Sequence, residues 1–144
     1  MSKKNFKNLI TGIPMKISLK TIMESLDSLI LLGQKEGLGV VTQWKLVPII
    51  KKARNEYQSY TEISNQKIKE LGEKVLDGNK VFTGRYKVKP ENEEKYKKEI
   101  EKLLKQEIEI DVPLITYSEL KGNNETFSLP TNVLVDLDWL IKQG

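Results

Sequence analysis

ENEEKYKKEIEKLLKQEIEIDV, residues 91–112, changes its period in mid-stretch. Tyr96, Ile100, Leu103 and Leu104 recur at intervals of three and four, the spacing that gathers side chains on one face of a helix. Ile108, Ile110 and Val112 then alternate with Glu107, Glu109 and Asp111, the two-residue period of a strand with one wet face. A helix running straight into a half-buried strand, within a chain that is otherwise rich in helical periodicity, predicts an α+β fold rather than a repeating βαβ design. Pro90 and the acids Glu91, Glu93 and Glu94 suit the helix start, where the backbone dipole favours negative charge. Glu94 with Lys98 and Glu101 with Lys105 form pairs four residues apart, so the charge run reads as a solvated face. The three acids of the strand could be imagined around a hard cation, but the wet side of an amphipathic strand explains them more simply.

Towards the N-terminus, Asp77-Gly78-Asn79 is a turn signal, and Val81, Phe82, Tyr86 and Val88 on either side of Gly84 read as short strands of a small hairpin. Residues 42–74 carry Trp44, Val47, Ile50, Ala53, Tyr57, Tyr60, Ile63, Ile68 and Leu71 at mostly helical spacing, which predicts one long helix. Pro48 falls inside it, so the helix either starts near Leu46 or is kinked at the proline. An earlier helix is marked by Leu19, Ile22, Met23, Leu26, Leu29 and Ile30, with Ser18 as its N-cap and Gly33 as a left-handed stop. The glycine-rich connection 33–39 lacks the Gly-Lys-Ser/Thr ending and the preceding strand of a phosphate-binding loop.

Towards the C-terminus, residues 114–117 read as extended and residues 121–126 as a polar loop. A closing helix follows, capped by Ser128, with Pro130 in its first turn and Val133, Leu134, Leu137, Leu140 and Ile141 as its apolar stripe. Trp139 falls off that stripe beside Asp136 and Asp138. The expected architecture is a helix-dominated single α+β domain over residues 17–144. It contains one long helix, possible kink included, a small hairpin or antiparallel sheet, and a C-terminal helix. A basic arm over residues 1–16 precedes it.

Composition narrows the function. The 144 residues suit one domain with a core of its own. With no cysteine and no histidine, the chain has no thiol nucleophile, no thiolate metal site, no Ser/His/Asp or Cys/His mechanism and no ordinary general base near neutral pH. An enzyme would have to work with carboxylates such as Glu119, Asp136 and Asp138 or with a lysine. The reading is therefore non-enzymatic, with no cofactor and no metal. The longest apolar run is far below the roughly 20 residues of a membrane span, and the basic start is not followed by the apolar core of a secretory signal.

The net charge of +4 can be assigned to the first twenty residues, which hold five lysines and no acid. Two binding readings follow. In the first, the protein binds another protein, with Tyr57 and Tyr60 on the long helix, Trp44 near its start and Trp139 on the closing helix as candidate anchors, because large rigid aromatics carry disproportionate binding energy. In the alternative, it binds nucleic acid through Lys3, Lys4, Lys7, Lys16 and Lys20, joined by Lys51, Lys52 and Arg54. Only two arginines, Arg54 and Arg85, are present, which counts against sequence-specific base readout. Self-association of the long helix into a dimer or ring is compatible with its length, although its heptads are too irregular for a coiled coil.

The order of these features resembles a family of small tailed-bacteriophage proteins of unknown function. The resemblance covers roughly residues 15–142. It rests on the N-terminal leucine-rich helix, the Trp44-Lys45-Leu46-Val47-Pro48-Ile49-Ile50 stretch and Glu56-Tyr57-Gln58-Ser59-Tyr60. Asp77-Gly78-Asn79, Tyr86-Lys87-Val88, the Glu-rich helix, Glu107-Ile108-Glu109-Ile110 and the closing helix complete it. The glycine-rich turn at residues 33–39 is not part of the pattern. The resemblance implies an accessory protein acting in the cytoplasm of the infected bacterial host or in the virion. It would serve as a minor virion or assembly component, or as a binder or inhibitor of a host protein, with a phage structural or host bacterial protein as partner. It implies no catalytic residues.

Overall fold

The computed structural model describes residues 12–142. Strand β1 (Ile13–Ser18) pairs antiparallel with β4 (Glu107–Val112), from Ile13 opposite Val112 to Ser18 opposite Glu107. The alternation read in the sequence of β4 is the one observed: Ile110 and Val112 are buried, while Glu107, Glu109 and Asp111 are exposed. This pairing corrects the end of the basic arm expected over residues 1–16. Its last residues, 13–16, belong to β1, where they satisfy the backbone groups that β4 would otherwise leave open along that edge. Residues 1–11, with Lys3, Lys4 and Lys7, lie outside the described residues.

Helix α1 (Leu19–Gly33) is capped by Ser18, whose Oγ accepts the Thr21 amide at 3.2 Å. Gly33 does not end it in the left-handed region. The helix keeps Gly33, and the side chain of Ile50 from the next helix sits where a Cβ would be, so glycine is there for close approach. Helix α2 (Val40–Leu71) is 32 residues long, about 48 Å at the usual rise. It runs continuously through Pro48, so a start near Leu46 is corrected to Val40. Pro48 faces solvent, on the side where a missing amide is tolerated best.

The hairpin differs from expectation in its first strand. Helix α2 stops at Leu71, and β2 (Gly72–Leu76) pairs antiparallel with β3 (Phe82–Val88), so β3 carries both flanks of Gly84 in one strand. The Asp77 turn closes it: Asp77 Oδ1 accepts the amides of Asn79 and Val81 at 2.7 and 3.0 Å. After a 3₁₀ turn at Pro90–Asn92, helix α3 (Glu93–Leu104) packs along the second half of α2. The chain ends in short elements: β5 (Ile115–Thr116), α4 (Tyr117–Lys121), α5 (Thr131–Asp136) and β6 (Ile141–Lys142), with β6 parallel to β5. The C-terminal helix is present but ends at Asp136, and no side chain caps it.

One cluster of buried residues joins these pieces. Ile22, Leu29 and Leu32 of α1 meet Leu46 and Ile49 of α2, and Ile115, Leu120, Val133, Leu137 and Leu140 close over them. The result is a single α+β domain, with the hairpin and α3 gathered at the C-terminal end of α2.

Candidate interaction surface

Helix α2 carries two apolar stripes along its first four turns. Thr42, Leu46, Ile49 and Ala53 fall on one side and are buried against α1 and the C-terminal elements. Val40, Val41, Trp44 and Val47 fall on the opposite side and face solvent, Val40 at 77% and Trp44 at 60% exposure. Pro48, Lys51 and Arg54 continue that face, all exposed. An exposed apolar stripe headed by a tryptophan is what a contact surface looks like, whereas isolated surface apolars are ordinary.

The helix beneath this face is held firmly. Lys45 Nζ donates to Glu119 Oε1 at 2.8 Å and to the Leu114 carbonyl at 3.0 Å, and Thr42 Oγ1 donates to the same Glu119 oxygen at 3.0 Å. The Lys45 and Glu119 side chains are only 14% and 27% exposed, so this pair is shielded more than a surface ion pair. Thr116 in turn accepts the Glu119 amide at 3.0 Å, fixing α4. Trp44 therefore stands on a backbone anchored from behind, and binding through it costs little further ordering of the main chain.

The other predicted anchors are placed differently. Trp139 is partly buried. Its indole packs partly against the core, and Nε1 donates to Ser25 Oγ at 3.0 Å. The reason is that α5 ends at Asp136 and the turn after it carries Trp139 back towards α1. Tyr60 lies half-buried on the side of α2 that faces α3, where burial and the neighbouring Tyr96 and Tyr57 raise its pKa above the usual phenol value. Next to it, the hydroxyls of Ser64 and Tyr96 are hydrogen-bonded at 2.9 Å. Tyr57 remains 48% exposed. Of the four aromatics, then, only Trp44 belongs to a continuous outward apolar face.

Among the described residues, the basic candidates are distributed over β1, α1 and α2. Lys16 stands on β1 opposite Glu109, Lys20 is 3.9 Å from Glu24, and Lys52 is 3.0 Å from Glu56. Lys51 and Arg54 extend the Trp44 face instead. The carboxylates considered for catalysis are also dispersed: Glu119 is held by Lys45, Asp136 accepts from Ser28 Oγ at 2.7 Å, and Asp138 is exposed. Among the described residues, no group of three or more acids could hold a metal ion, and no helix is long and apolar enough to cross a membrane.

Sequence reasoning missed Val40 and Val41, although the signal was there. Residues 40, 44 and 47 form a second helical stripe offset from 42, 46, 49 and 53, and merging both into one helix concealed which would stay outside. It also missed the roles of Ser25, Ser28, Lys45 and Glu119, whose partners are distant in the chain. Compared with protein-family models, curated proteins and solved structures, the chain matches none of them.

Proposed function

We propose that the protein is non-enzymatic and acts by binding another protein through the outer face of α2. The observation that carries this reading is the exposed stripe Val40, Val41, Trp44 and Val47 on a helix otherwise clamped to the core. Lys51 and Arg54 at its end set the chemistry of the partner: a segment with apolar side chains for Trp44 and a carboxylate for the cations. In a tailed-phage setting, as the sequence resemblance implies, that partner is a virion or host protein.

The test is capture from a nuclease-treated bacterial lysate by the native chain and by Trp44→Asp. Trp44 is exposed, so the substitution leaves the core untouched, which far-UV circular dichroism verifies. One stoichiometric protein retained by the native chain and lost with Trp44→Asp supports the reading. Identical capture by both chains overturns it.

A further inference from the structure

The near-balance of charge beyond the N-terminal lysines conceals a separation. Residues 67–89 hold seven basic side chains against three acids, whereas residues 90–142 hold seven against twelve. The cationic part is the end of α2 together with the β2–β3 hairpin. Its three acids are already engaged. Glu70 accepts from Lys67 at 3.1 Å, and that hydrogen bond and charge hold its carboxyl below the usual range. Glu73 lies 3.7 Å from Lys87, and Asp77 is occupied by the turn amides. Lys69, Lys74, Lys80, Arg85 and Lys89 have no carboxylate within ion-pair distance among the described residues.

Aromatic rings lie among these cations. Lys69 Nζ is 5.6 Å from the centre of the Tyr86 ring, Lys74 Nζ is 5.0 Å from that of Phe82, and the two rings meet edge to face at 5.3 Å. Between α2 and β3 an open cleft of about 780 Å³ is lined by Asn65, Gln66, Lys69, Arg85 and Tyr86, with Glu62 its single acid. The cleft brings together a π surface, amide groups that can donate and accept, and unpaired cations.

We propose that this cleft and the hairpin beside it bind single-stranded nucleic acid. Lys69, Lys74, Lys80 and Arg85 neutralise phosphates, Tyr86 offers its ring to a base, and Asn65 and Gln66 meet base edges. An unpaired base can enter the cleft, whereas the bases of a duplex are stacked inside it. With Arg85 the only arginine here, the site has little means of bidentate guanine readout, so recognition is tolerant of sequence. This site lies at the other end of α2 from the Trp44 face, and none of its residues is among the basic residues first considered for nucleic acid.

The test is fluorescence anisotropy of the full chain with labelled oligo-dT and oligo-U of about 15 nucleotides, near the length one small domain covers. Parallel arms use the annealed duplex and vesicles of phosphatidylserine and phosphatidylcholine. Expected are binding to single strands at least about tenfold tighter than to duplex and a further loss of about tenfold with Lys69→Glu/Arg85→Glu. The salt dependence of the remaining binding should flatten, by about 0.7 in log–log slope for each phosphate no longer neutralised. Lys80→Glu at the hairpin tip should weaken binding in the same direction, while Lys97→Glu on α3 should stay within about twofold. Circular dichroism checks that each variant is folded. Absence of binding, equal affinity for duplex, binding to vesicles alone, or indifference to the Lys69, Arg85 and Lys80 changes would each overturn the proposal.

Discussion

Ser25 is 1% exposed and has three polar neighbours. Its Oγ is within donating distance of the Thr21 carbonyl at 2.6 Å and the Asp136 carbonyl at 3.0 Å, and accepts from Trp139 Nε1 at 3.0 Å. Ser25→Ala strands the indole N–H and weakens the tie from α1 to the end of α5, so a loss of about 1–3 kcal/mol is expected in urea unfolding. Trp139→Phe removes the donor instead, and the double variant should lose clearly less than the two single losses added together, because both delete the same bond. Strict additivity would show that the bond contributes nothing. A second residue effect depends on pH. The raised pKa of Tyr60 means that the fold favours the neutral phenol. Below the unfolded value near 10 both states are protonated and this contribution is intact; as pH rises past it towards the folded value, the unfolded chain ionises first and stability falls. Tyr60→Phe should therefore reduce the alkaline loss seen in thermal melts above about pH 10, and an unchanged profile would place the titration elsewhere.

Among the elements, the junction of α2 and β2 shows what the sequence could and could not convey. Helical spacing continues through Leu71, and nothing in the pattern forbids three more residues, so the spacing predicts a helix that reaches Lys74. Gly72 is the reason it does not. A Cβ there would collide with the carbonyls of Ile68 and Lys87, so the chain turns from helix to strand at the one residue that lets the hairpin fold back against α2. Gly72→Ala is expected to displace the hairpin while leaving the core intact: amide exchange should rise across residues 72–88 and stay protected in α1 and the first half of α2. Uniform protection would show that the junction relaxes without cost. The strand β4 was legible because its period is local, and the α1 cap because Ser18 and Thr21 are three residues apart. The networks around Ser25 and Lys45 were not, since 111 residues separate Ser25 from Asp136 and 74 separate Lys45 from Glu119. The same distinction explains the binding face. The helical stripe at residues 40, 44 and 47 is periodic and visible, but which of two stripes faces inward is decided by α1 and α4.

At the scale of the molecule, the fold depends on a strand whose residues the sequence pattern assigns largely to an arm. β1 covers β4, and β4 supplies Ile110 and Val112 to the core that α1 and α2 share. Its signal was short and interrupted: Ile13, Met15 and Ile17 alternate with Pro14, Lys16 and Ser18 at the two-residue period of a strand, but a proline inside the run argues against a strand, and the partner β4 that makes it one is distant in the chain. Pro14 lacks an amide, which a strand tolerates at an edge, and among the described residues β1 pairs only with β4. A chain begun at Gly12 keeps the whole β1–β4 ladder, whereas one begun at Leu19 is without its six paired residues and the Ser18 cap, and uncovers one side of Ile110 and Val112. Burying a single such side chain contributes about 1.5–3 kcal/mol, so exposing two while opening the ladder removes a large share of the roughly 5–15 kcal/mol typical of a whole domain. The chain begun at Leu19 should unfold at markedly lower urea with a broadened transition, and the chain begun at Gly12 should keep a single sharp one. Equal midpoints would mean that β1 is an ornament on β4 and that the fold closes from α1 onward without it.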